Sequence, residues 1–358
     1  MTAIPSGPRP GVLFLDKVFL KRAPVPLRGV ELFNLNLLRE LLAEGFPVTL
    51  VAEESWRGPV GEAAGKGALT TRWFRAIGPD ALGVVQAGWQ LRGRSFQRLL
   101  VGNVGNGLIP LLGHLHRRRA FARAVLIAHR EAAPRFVRCW SRLPGCVVAV
   151  NGQIARPFRE AGSGPVQVDY GIFHGELYHP PATPPEPPLG FIVLGALDNA
   201  WKGADTAQAA FARLPAELQA RAELHLASYR QPPRVAGRVV AHPWLAADQI
   251  PDLLRRMRVM ICPSRDEVVM RETFSQAMVQ GMLSGLPILA SDLPILKEKL
   301  DRGGGLIFRD VDELAALMAQ LIQDSALCAR LGREARATAL DRYVWDTRRF
   351  ATRYLRPG

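Results

Sequence analysis

A ten-residue segment in the middle of the chain, residues 179–188, contains six prolines. Proline has a fixed φ angle and no backbone N–H, so a run this dense continues neither a helix nor a central strand. The chain of 358 residues suits two domains of ordinary size, one on each side of this segment. We therefore expect an extended linker over residues 181–189, between an N-terminal domain (residues 1–180) and a C-terminal domain (residues 190–340).

The first domain begins with the pattern of a parallel α/β fold. An apolar strand is predicted over residues 12–15, helical apolar spacing follows from Leu32 to Leu42, and a second strand is predicted over residues 48–52. A strand, a helix and a strand within about 40 residues form a βαβ unit with parallel strands. Further strands are predicted at 124–128, 147–150 and 166–168. Residues 82–119 are predicted to be helices joined by irregular segments.

The second domain repeats the alternation. Strands are predicted at 190–194, 223–227, 259–262 and 288–290, and helices at 205–213, 250–258, 274–283 and 313–323. The expected fold class is therefore α/β, with two tandem Rossmann-like domains facing each other across a cleft. Ligands of such sheets bind at the carboxyl ends of the strands, so we expect the site in that cleft.

Composition excludes some classes of protein. A hydrophobic content of 48% with 22% charged residues excludes a wholly disordered chain. No uninterrupted apolar run is long enough for a transmembrane helix, and the N-terminus lacks a signal-peptide pattern. The four cysteines form no Cys-x-x-Cys pair, which argues against a structural zinc site or a disulfide framework. A reduced, cytoplasmic protein is expected.

Charge is concentrated in the first domain. Residues 1–180 carry 23 basic and 12 acidic side chains, an excess of 11 within a net charge of +14. Such a domain favours an anionic partner: a phosphorylated small molecule, a membrane surface or nucleic acid. Nucleic acid is disfavoured, because the aromatic residues are not interleaved with the basic ones in a stacking pattern.

The most informative stretch runs from Cys262 to Asp292. A buried strand is predicted to end at Pro263-Ser264, and a helix to open near Phe274. The backbone N–H groups of Thr273, Phe274 and Ser275 would then be helix-start donors for an anion or for sugar hydroxyls. The carboxylate of Glu272, just before this turn, can accept hydrogen bonds from a polyol.

This stretch resembles glycosyltransferase family 4, whose members are retaining, nucleotide-sugar-dependent enzymes with the two-domain GT-B fold. The family pattern is Glu-Gly-Phe-Gly with a second Glu eight positions after the first, followed by Gly-x-Pro. Gly285-Leu-Pro287 anchors Glu272 as the first Glu, with Thr273-Phe274-Ser275 in place of Gly-Phe-Gly. Gln280 takes the place of the second Glu. The resemblance implies that Glu272 contacts the donor sugar and that Gln280 contacts the ribose without a charge. A register starting at Glu267 loses the Gly-x-Pro anchor.

A second match is Lys202-Gly203, shortly after the first strand of the second domain. The resemblance implies that Lys202 neutralises the diphosphate leaving group. The family's arginine is Ala196 here. Arg271, Arg265 and Arg28 are the candidates to supply the missing cation.

Looser matches extend over the rest of the chain. Gly29, preceded by Arg28, resembles a glycine loop that approaches the donor phosphate, and His129 resembles a strand-end histidine near the donor sugar. Trp345 resembles the step before a final helix, so residues 341–358 are expected to return to the N-terminal domain.

Together these matches imply a retaining, metal-independent hexosyl- or related glycosyltransferase that needs no cofactor besides its nucleotide-sugar co-substrate. The acceptor hydroxyl would belong to a glycan, a lipid-linked sugar or a natural product, as in a bacterial cell-envelope polysaccharide. Asp310 and Asp312 are interpreted as the start of a helix, with an N-cap, and not as a metal site. The run Arg117–Arg119 suits a solvated helix end, and peripheral contact with the inner face of the membrane stays open.

Two alternatives remain. One is a GT-B relative that hydrolyses or epimerises nucleotide sugars. The other is a non-catalytic anion- or nucleotide-binding protein, in which Ala196 and Gln280 mark a decayed donor site.

Overall fold

The computed structural model describes residues 11–24, 27, 29–76, 80–183, 185–228, 238–243, 245–246, 248–266 and 272–356, with only the backbone for 80–82. The chain divides into two units. The first comprises Met1–Phe173 together with Asp346–Gly358, and the second is His174–Trp345.

The first unit is built on a parallel sheet. Its strands are β1 (Val12–Leu15), β2 (Val48–Glu53), β3 (Leu69–Phe74), β4 (Phe96–Val101), β5 (Phe121–Ala128), β6 (Gly145–Ala149) and β7 (Val166–Val168). Within the described residues they form one seven-stranded sheet in the order β3-β2-β1-β4-β5-β6-β7. All four residues of β1 are fully buried. Burial on both faces explains why this strand is continuously apolar and does not alternate.

Helices connect these strands. They are α1 (Gly29–Ala43), α2 (Arg57–Ala64), α3 (Asp80–Gln90), α4 (Ile109–Arg117), α5 (Pro134–Trp140) and α6 (Gly152–Glu160), with 3₁₀ turns at Glu54–Trp56 and Asn106–Leu108. No helix in the described part of the chain is long and apolar enough to cross a bilayer.

The second unit is also α/β. Its strands are β8 (Leu189–Gly195), β9 (Ala222–Ser228), β10 (Val239–His242), β11 (Val259–Cys262), β12 (Ile288–Ser291) and β13 (Gly305–Phe308). Its helices are α7 (Ala204–Ala212), α8 (Ala216–Gln219), α9 (Ile250–Arg255), α10 (Gln276–Leu283), α11 (Pro294–Lys299), α12 (Val311–Gln323) and α13 (Ser325–Arg342), with 3₁₀ turns at Gly175–Leu177 and Ala200–Lys202. Among the described residues the parallel sheet has the order β10-β9-β8-β11-β12-β13.

The C-terminal residues complete the first unit. A short helix, α14 (Thr347–Phe350), continues into a π-helical turn, Ala351–Leu355. The carboxylate of Asp169, just after β7, accepts hydrogen bonds from Arg349 at 3.2 Å, Arg353 at 3.0 Å and the Tyr354 hydroxyl at 3.1 Å. These bonds fix the last turns of the chain to the end of the sheet.

The units divide at Phe173, before the proline-rich segment and not at residues 180/181 as the sequence predicted. The reason is local packing in the second unit. The Gln280 amide donates a hydrogen bond to the Tyr178 hydroxyl at 2.8 Å, and Arg336 donates one to the Tyr178 carbonyl at 3.0 Å. A Cβ on Gly175 would lie 2.8 Å from Val344. These residues therefore belong to the second unit.

The predicted α/β class and most predicted elements are confirmed, including β1, β7 and β11 with their predicted bounds. The prediction for residues 82–119 was wrong in part, because this region contains β4 (FQRLLV). Arg98 interrupts the apolar pattern of β4, yet it is buried in the sheet.

Candidate functional site

The candidate site of the second unit lies where the strand order reverses. Strands β8 and β11 are neighbours in the sheet but far apart in the chain. Ligands of parallel α/β sheets bind at the carboxyl ends of two such strands. Lys202 follows β8, and Glu272 follows β11.

The structure brings Lys202 and Glu272 together. The Lys202 Nζ donates to Glu272 Oε2 at 2.5 Å, and the side chains are 18% and 9% exposed. Ser264 Oγ lies 3.4 Å from the same carboxylate oxygen. The ammonium group also lies 4.3 Å from the centre of the Trp201 ring. A cation and an anion thus offset each other at the carboxyl ends of β8 and β11, and both keep some exposure to solvent.

Gly203 is fixed by a close approach of two loops. Its φ angle is 69°, in the left-handed region, and a Cβ there would lie 2.0 Å from the carbonyl oxygen of Pro263. Only glycine fits such a position. The backbone N–H of Arg265 donates a hydrogen bond to the Trp201 carbonyl at 2.7 Å. The loops after β8 and β11 are therefore in contact both here and at Gly203.

The turn before α10 differs from the sequence prediction. Helix α10 begins at Gln276, not at Phe274, and Ser275 is its N-cap residue with φ 57° and ψ 70°. The Ser275 N–H, predicted to be a donor for a ligand, donates to Glu272 Oε1 at 3.1 Å. Glu272 lies three residues before Ser275. At this spacing a carboxylate can accept a hydrogen bond from a backbone N–H at the start of a helix. Thr273 and the buried Phe274 lie within this turn.

Sequence reasoning missed Lys299, whose ammonium group packs against Phe274 of this turn. Its Nζ lies 4.5 Å from the centre of the Phe274 ring and 5.0 Å from that of Tyr343. Burial lowers the pKa of Lys299 to about 8. The signal in the sequence was its spacing from Ile295 and Leu296, which puts it on the buried face of α11.

Gln280 lies on α10. Its amide nitrogen is committed to the Tyr178 hydroxyl, whereas its Oε1 is buried with no hydrogen-bond partner among the described residues. The contact of Gln280 with a ribose stays a prediction, and its Oε1 is the acceptor for a ribose hydroxyl in that prediction.

The cation that would replace the family's arginine at Ala196 has three predicted candidates. Arg265 is engaged elsewhere, since it donates to Asp205 Oδ2 and Thr206 Oγ1, each at 2.6 Å. Arg28 and Arg271 lie outside the described residues.

In the first unit, His129 lies at the end of β5 and is buried. It has a hydrogen bond with the Gly102 backbone, and its Nε2 has no partner among the described residues. Burial lowers the pKa of His129 to about 3, so the ring is neutral and Nε2 is an acceptor. The rings of Phe33 and Tyr170 contact it edge-on at 4.7 and 5.2 Å.

Gly29 is the first residue of α1. A Cβ on Gly29 would meet no described atom within 4 Å, so packing in this part of the chain does not require a glycine. Its approach to a phosphate stays a prediction.

Asp310 and Asp312 lie at the start of a helix, as the sequence predicted. The Asp310 carboxylate accepts from the Glu313 N–H at 2.9 Å and caps α12, while Asp312 pairs with Arg213 at 2.6 Å. Across the described ranges, no group of three or more His, Cys, Asp or Glu side chains has the geometry to hold a metal ion.

Comparisons with known proteins agree with this architecture. Residues 188–324 match the family model described as "Glycosyl transferases group 1". No curated protein matches the chain by sequence.

Solved structures match over almost the whole chain. Sucrose-phosphate synthase from Thermosynechococcus elongatus has a TM-score of 0.70 at 16% identity, covering 96% of this chain and 98% of that one. Anabaena HepE, solved with UDP-glucose, has a TM-score of 0.68 at 18% identity, with coverage of 96% and 98%. WaaG, a glycosyltransferase of lipopolysaccharide biosynthesis, has a TM-score of 0.66 at 13% identity, with coverage of 97% and 100%. The chain therefore has the GT-B fold, with two Rossmann-like domains.

Proposed function

We propose that the protein is a retaining glycosyltransferase of family 4 that moves a sugar, such as a hexose, from a nucleoside diphosphate sugar to an acceptor hydroxyl. The observation that carries this proposal is the Lys202–Glu272 pair. The two side chains meet at 2.5 Å at the carboxyl ends of β8 and β11, inside the segment that matches the group 1 family model. HepE, which shares the fold, was solved with UDP-glucose, so a UDP-sugar is the first donor to test.

In this proposal the donor separates the pair. The diphosphate takes Lys202 as its partner, and the carboxylate of Glu272 turns to the sugar hydroxyls. Both groups then exchange one polar partner for another, so neither is left buried and unpaired. The negative charge on the diphosphate grows as the glycosidic bond breaks, and the ammonium group of Lys202 stabilises that charge in place of a metal ion.

Retention would follow from attack on the same face of the sugar. The bond from the anomeric carbon to the phosphate oxygen breaks, the acceptor oxygen bonds to that carbon, and the acceptor proton passes to the departing phosphate. No side chain forms a covalent intermediate. In this proposal His129 does not transfer a proton. Burial lowers its pKa and keeps the ring neutral, so its Nε2 can only accept a hydrogen bond.

We further propose that the acceptor is lipid-linked, in a cytoplasmic step of bacterial envelope polysaccharide synthesis at the inner face of the membrane. The supporting feature is a surface on the first unit where Val85 and Trp89 of α3 are 68% and 71% exposed. Since β4 and β5 pair at Phe96 and Phe121, the residues before these strands lie at the same end of the sheet. Five exposed arginines precede these two strands: Arg92, Arg94, Arg117, Arg118 and Arg119.

Exposed apolar side chains beside clustered arginines suit an anionic lipid surface. Sedimentation with phosphatidylglycerol vesicles should recover the wild type but less of Trp89→Ser, and binding should weaken with salt. Leu340→Ser is the matched control, because Leu340 is also exposed but lies in the second unit. Equal sedimentation of all three proteins would reject this surface.

The donor proposal is tested by thermal shift and product formation with UDP-, GDP-, ADP- and dTDP-sugars. A ligand at 100 times its dissociation constant adds about 2.7 kcal/mol of stability. One donor should stabilise the wild type and Lys297→Met, but not Lys202→Met. Lys297 is the matched control, because it is an exposed lysine of the same unit. If no nucleotide sugar binds or reacts while heparin binds in a salt-dependent way, the protein is a non-catalytic anion-binding protein instead.

A further inference from the structure

Arg98 is a buried cation on β4 of the first unit, where it is 6% exposed. An arginine keeps its positive charge inside a protein. Burying a charge is unfavourable unless a group of opposite sign compensates it. Within the described residues Arg98 has no carboxylate partner, and its side chain forms one hydrogen bond, to a backbone carbonyl. Its burial therefore calls for an explanation.

One edge of the Arg98 guanidinium group is unpaired. Its Nη1 donates a hydrogen bond to the Gln97 carbonyl at 3.1 Å. Its Nε is buried without a hydrogen-bond partner among the described residues, and its Nη2 donates a hydrogen bond to none of them. The N–H groups of Nε and Nη2 form one edge of the planar group, and such an edge binds two oxygens of a single anion.

A second arginine lies beside Arg98 in the sheet. Arg98 of β4 is in register with Arg123 of β5, so the two side chains leave the same face of the sheet, with their Cα atoms about 5 Å apart. Like charges directly opposite each other on two strands are destabilising. Burial and the charge of Arg123 both lower the pKa of Arg98. The pair is therefore unfavourable unless an anion lies between the two groups.

The neighbours of this pair in the sheet supply no negative charge. On its other side Arg98 is in register with Val12 of β1. Cys146 of β6 interacts electrostatically with both arginines, but burial raises the pKa of its thiol to about 11, so it stays neutral. In the part of the chain that the structure describes, Arg123 has no ion-pair partner either.

Five exposed arginines before β4 and β5 add to this positive charge, and none of them forms an ion pair with a described carboxylate: Arg92, Arg94, Arg117, Arg118 and Arg119. The end of helix α4 favours the last three, because a helix C-terminus attracts cations. That effect does not account for Arg98 and Arg123, which lie within strands. Arg119 even has a positive φ angle of 52°, just after the C-cap of α4, where glycine is the usual residue.

We propose that Arg98 and Arg123 form a binding site for a doubly charged phosphate group at the amino end of the first sheet. A phosphate monoester carries about −1.5 to −2 charges at neutral pH and three strong acceptor oxygens. One such group can pair with both guanidinium groups, whereas a carboxylate carries a single charge. The phosphate would belong to a lipid headgroup or to a free phosphate.

This site is separate from the candidate donor site. Lys202 and Glu272 belong to the second unit. In the first unit, His129 bonds to the backbone of Gly102, which follows the carboxyl end of β4. Arg98 lies four residues earlier, about 13 Å along the strand. The proposal therefore does not rest on the transferase activity proposed above.

The test is isothermal titration calorimetry with inorganic phosphate in a low-salt buffer. Every protein carries Lys202→Met, so that phosphate binding at the candidate donor site does not contribute. Adding Arg98→Met or Arg123→Met should weaken binding about tenfold or more, because each removes charge-assisted hydrogen bonds. Adding Arg156→Met should leave the affinity unchanged. Arg156 is the matched control, since its side chain is 72% exposed and it lies in the same unit.

Absence of phosphate binding in the Lys202→Met protein would overturn the proposal, and so would equal affinities with Arg123→Met and Arg156→Met added. Arg123 is exposed, so its variant tests the site even if Arg98→Met does not fold. Sedimentation with phosphatidylcholine vesicles that contain phosphatidic acid, a phosphate monoester, distinguishes the two sources. Lower recovery with Arg123→Met than with Arg156→Met would assign the site to a lipid headgroup. Equal recovery, together with weakened phosphate binding, would assign it to free phosphate.

Discussion

Replacing Lys299 by methionine removes a buried charge and keeps an unbranched side chain. The pKa of Lys299 falls from 10.5 to about 8 because the ammonium group is buried. The folded protein therefore holds this proton less tightly than the unfolded chain. Charging Lys299 costs stability at neutral pH, and the cost disappears as the pH rises from about 8 towards 10.5.

The magnitude follows from the two pKa values. Each unit corresponds to about 1.4 kcal/mol, so the full shift costs about 3 kcal/mol well below pH 8. At pH 9.5 Lys299 is mostly neutral in the folded protein and mostly charged in the unfolded chain. About 2 kcal/mol of the cost has then disappeared. This figure is an upper value, since the rings of Phe274 and Tyr343 favour the charged form.

The assay is differential scanning calorimetry of the wild type, Lys299→Met and Lys297→Met at pH 7.0 and 9.5. Lys299→Met should gain stability over the wild type at pH 7.0 and lose most of that gain at pH 9.5. The change corresponds to about 4 to 8 °C in the midpoint of the second unit. Lys297→Met should follow the wild type, because its side chain is 51% exposed. A constant difference between Lys299→Met and the wild type would show that Lys299 is not desolvated, and would refute the reasoning.

Three further predictions concern backbone strain and the buried histidine. Ser275→Gly should stabilise the second unit by about 1 kcal/mol in calorimetry, because glycine adopts a φ angle of 57° without strain. Gly203→Ala should destabilise it by about 2 to 3 kcal/mol in the same assay, since the new Cβ would lie 2.0 Å from the Pro263 carbonyl oxygen. In NMR spectra the ring signals of His129 should not shift between pH 5 and 8, because burial lowers its pKa to about 3.

Each of these predictions has a clear contrary outcome. A lower midpoint in Ser275→Gly would mean that the serine hydroxyl stabilises the turn more than its φ angle destabilises it. A wild-type midpoint in Gly203→Ala would mean that the loops after β8 and β11 separate easily. Titration of His129 near pH 6.5, assigned with His129→Gln, would mean that water reaches its ring.

The sequence predicted the α/β class, and it indicated Lys202 and Glu272 as candidate site residues, because the signals for both are local. Gly203, Gly285 and Pro287 fix turns at their own positions, and strands such as β1 and β11 are continuous apolar runs. Strand β4 was missed because Arg98, which is buried in the sheet, breaks that pattern.

The rest of the site depends on contacts between distant segments. Phe274, Lys299 and Tyr343 come from three separate elements, and no spacing in the chain predicts that they meet. The Ser275 N–H was expected to face a ligand, but it donates its hydrogen bond to the carboxylate of Glu272. Competition among polar groups for one donor is decided by geometry that a sequence pattern does not contain.

The return of the chain to its first unit has a consequence for the order in which the protein is made. A ribosome releases Asp169 early, but its partners Arg349, Arg353 and Tyr354 emerge only after the whole second unit. The second unit is one continuous segment and can complete its fold during synthesis, whereas the first must wait for the last residues. A nascent chain that stops at Trp345 would therefore carry a complete second unit and an unfinished first one, with the Asp169 carboxylate lacking these three donors.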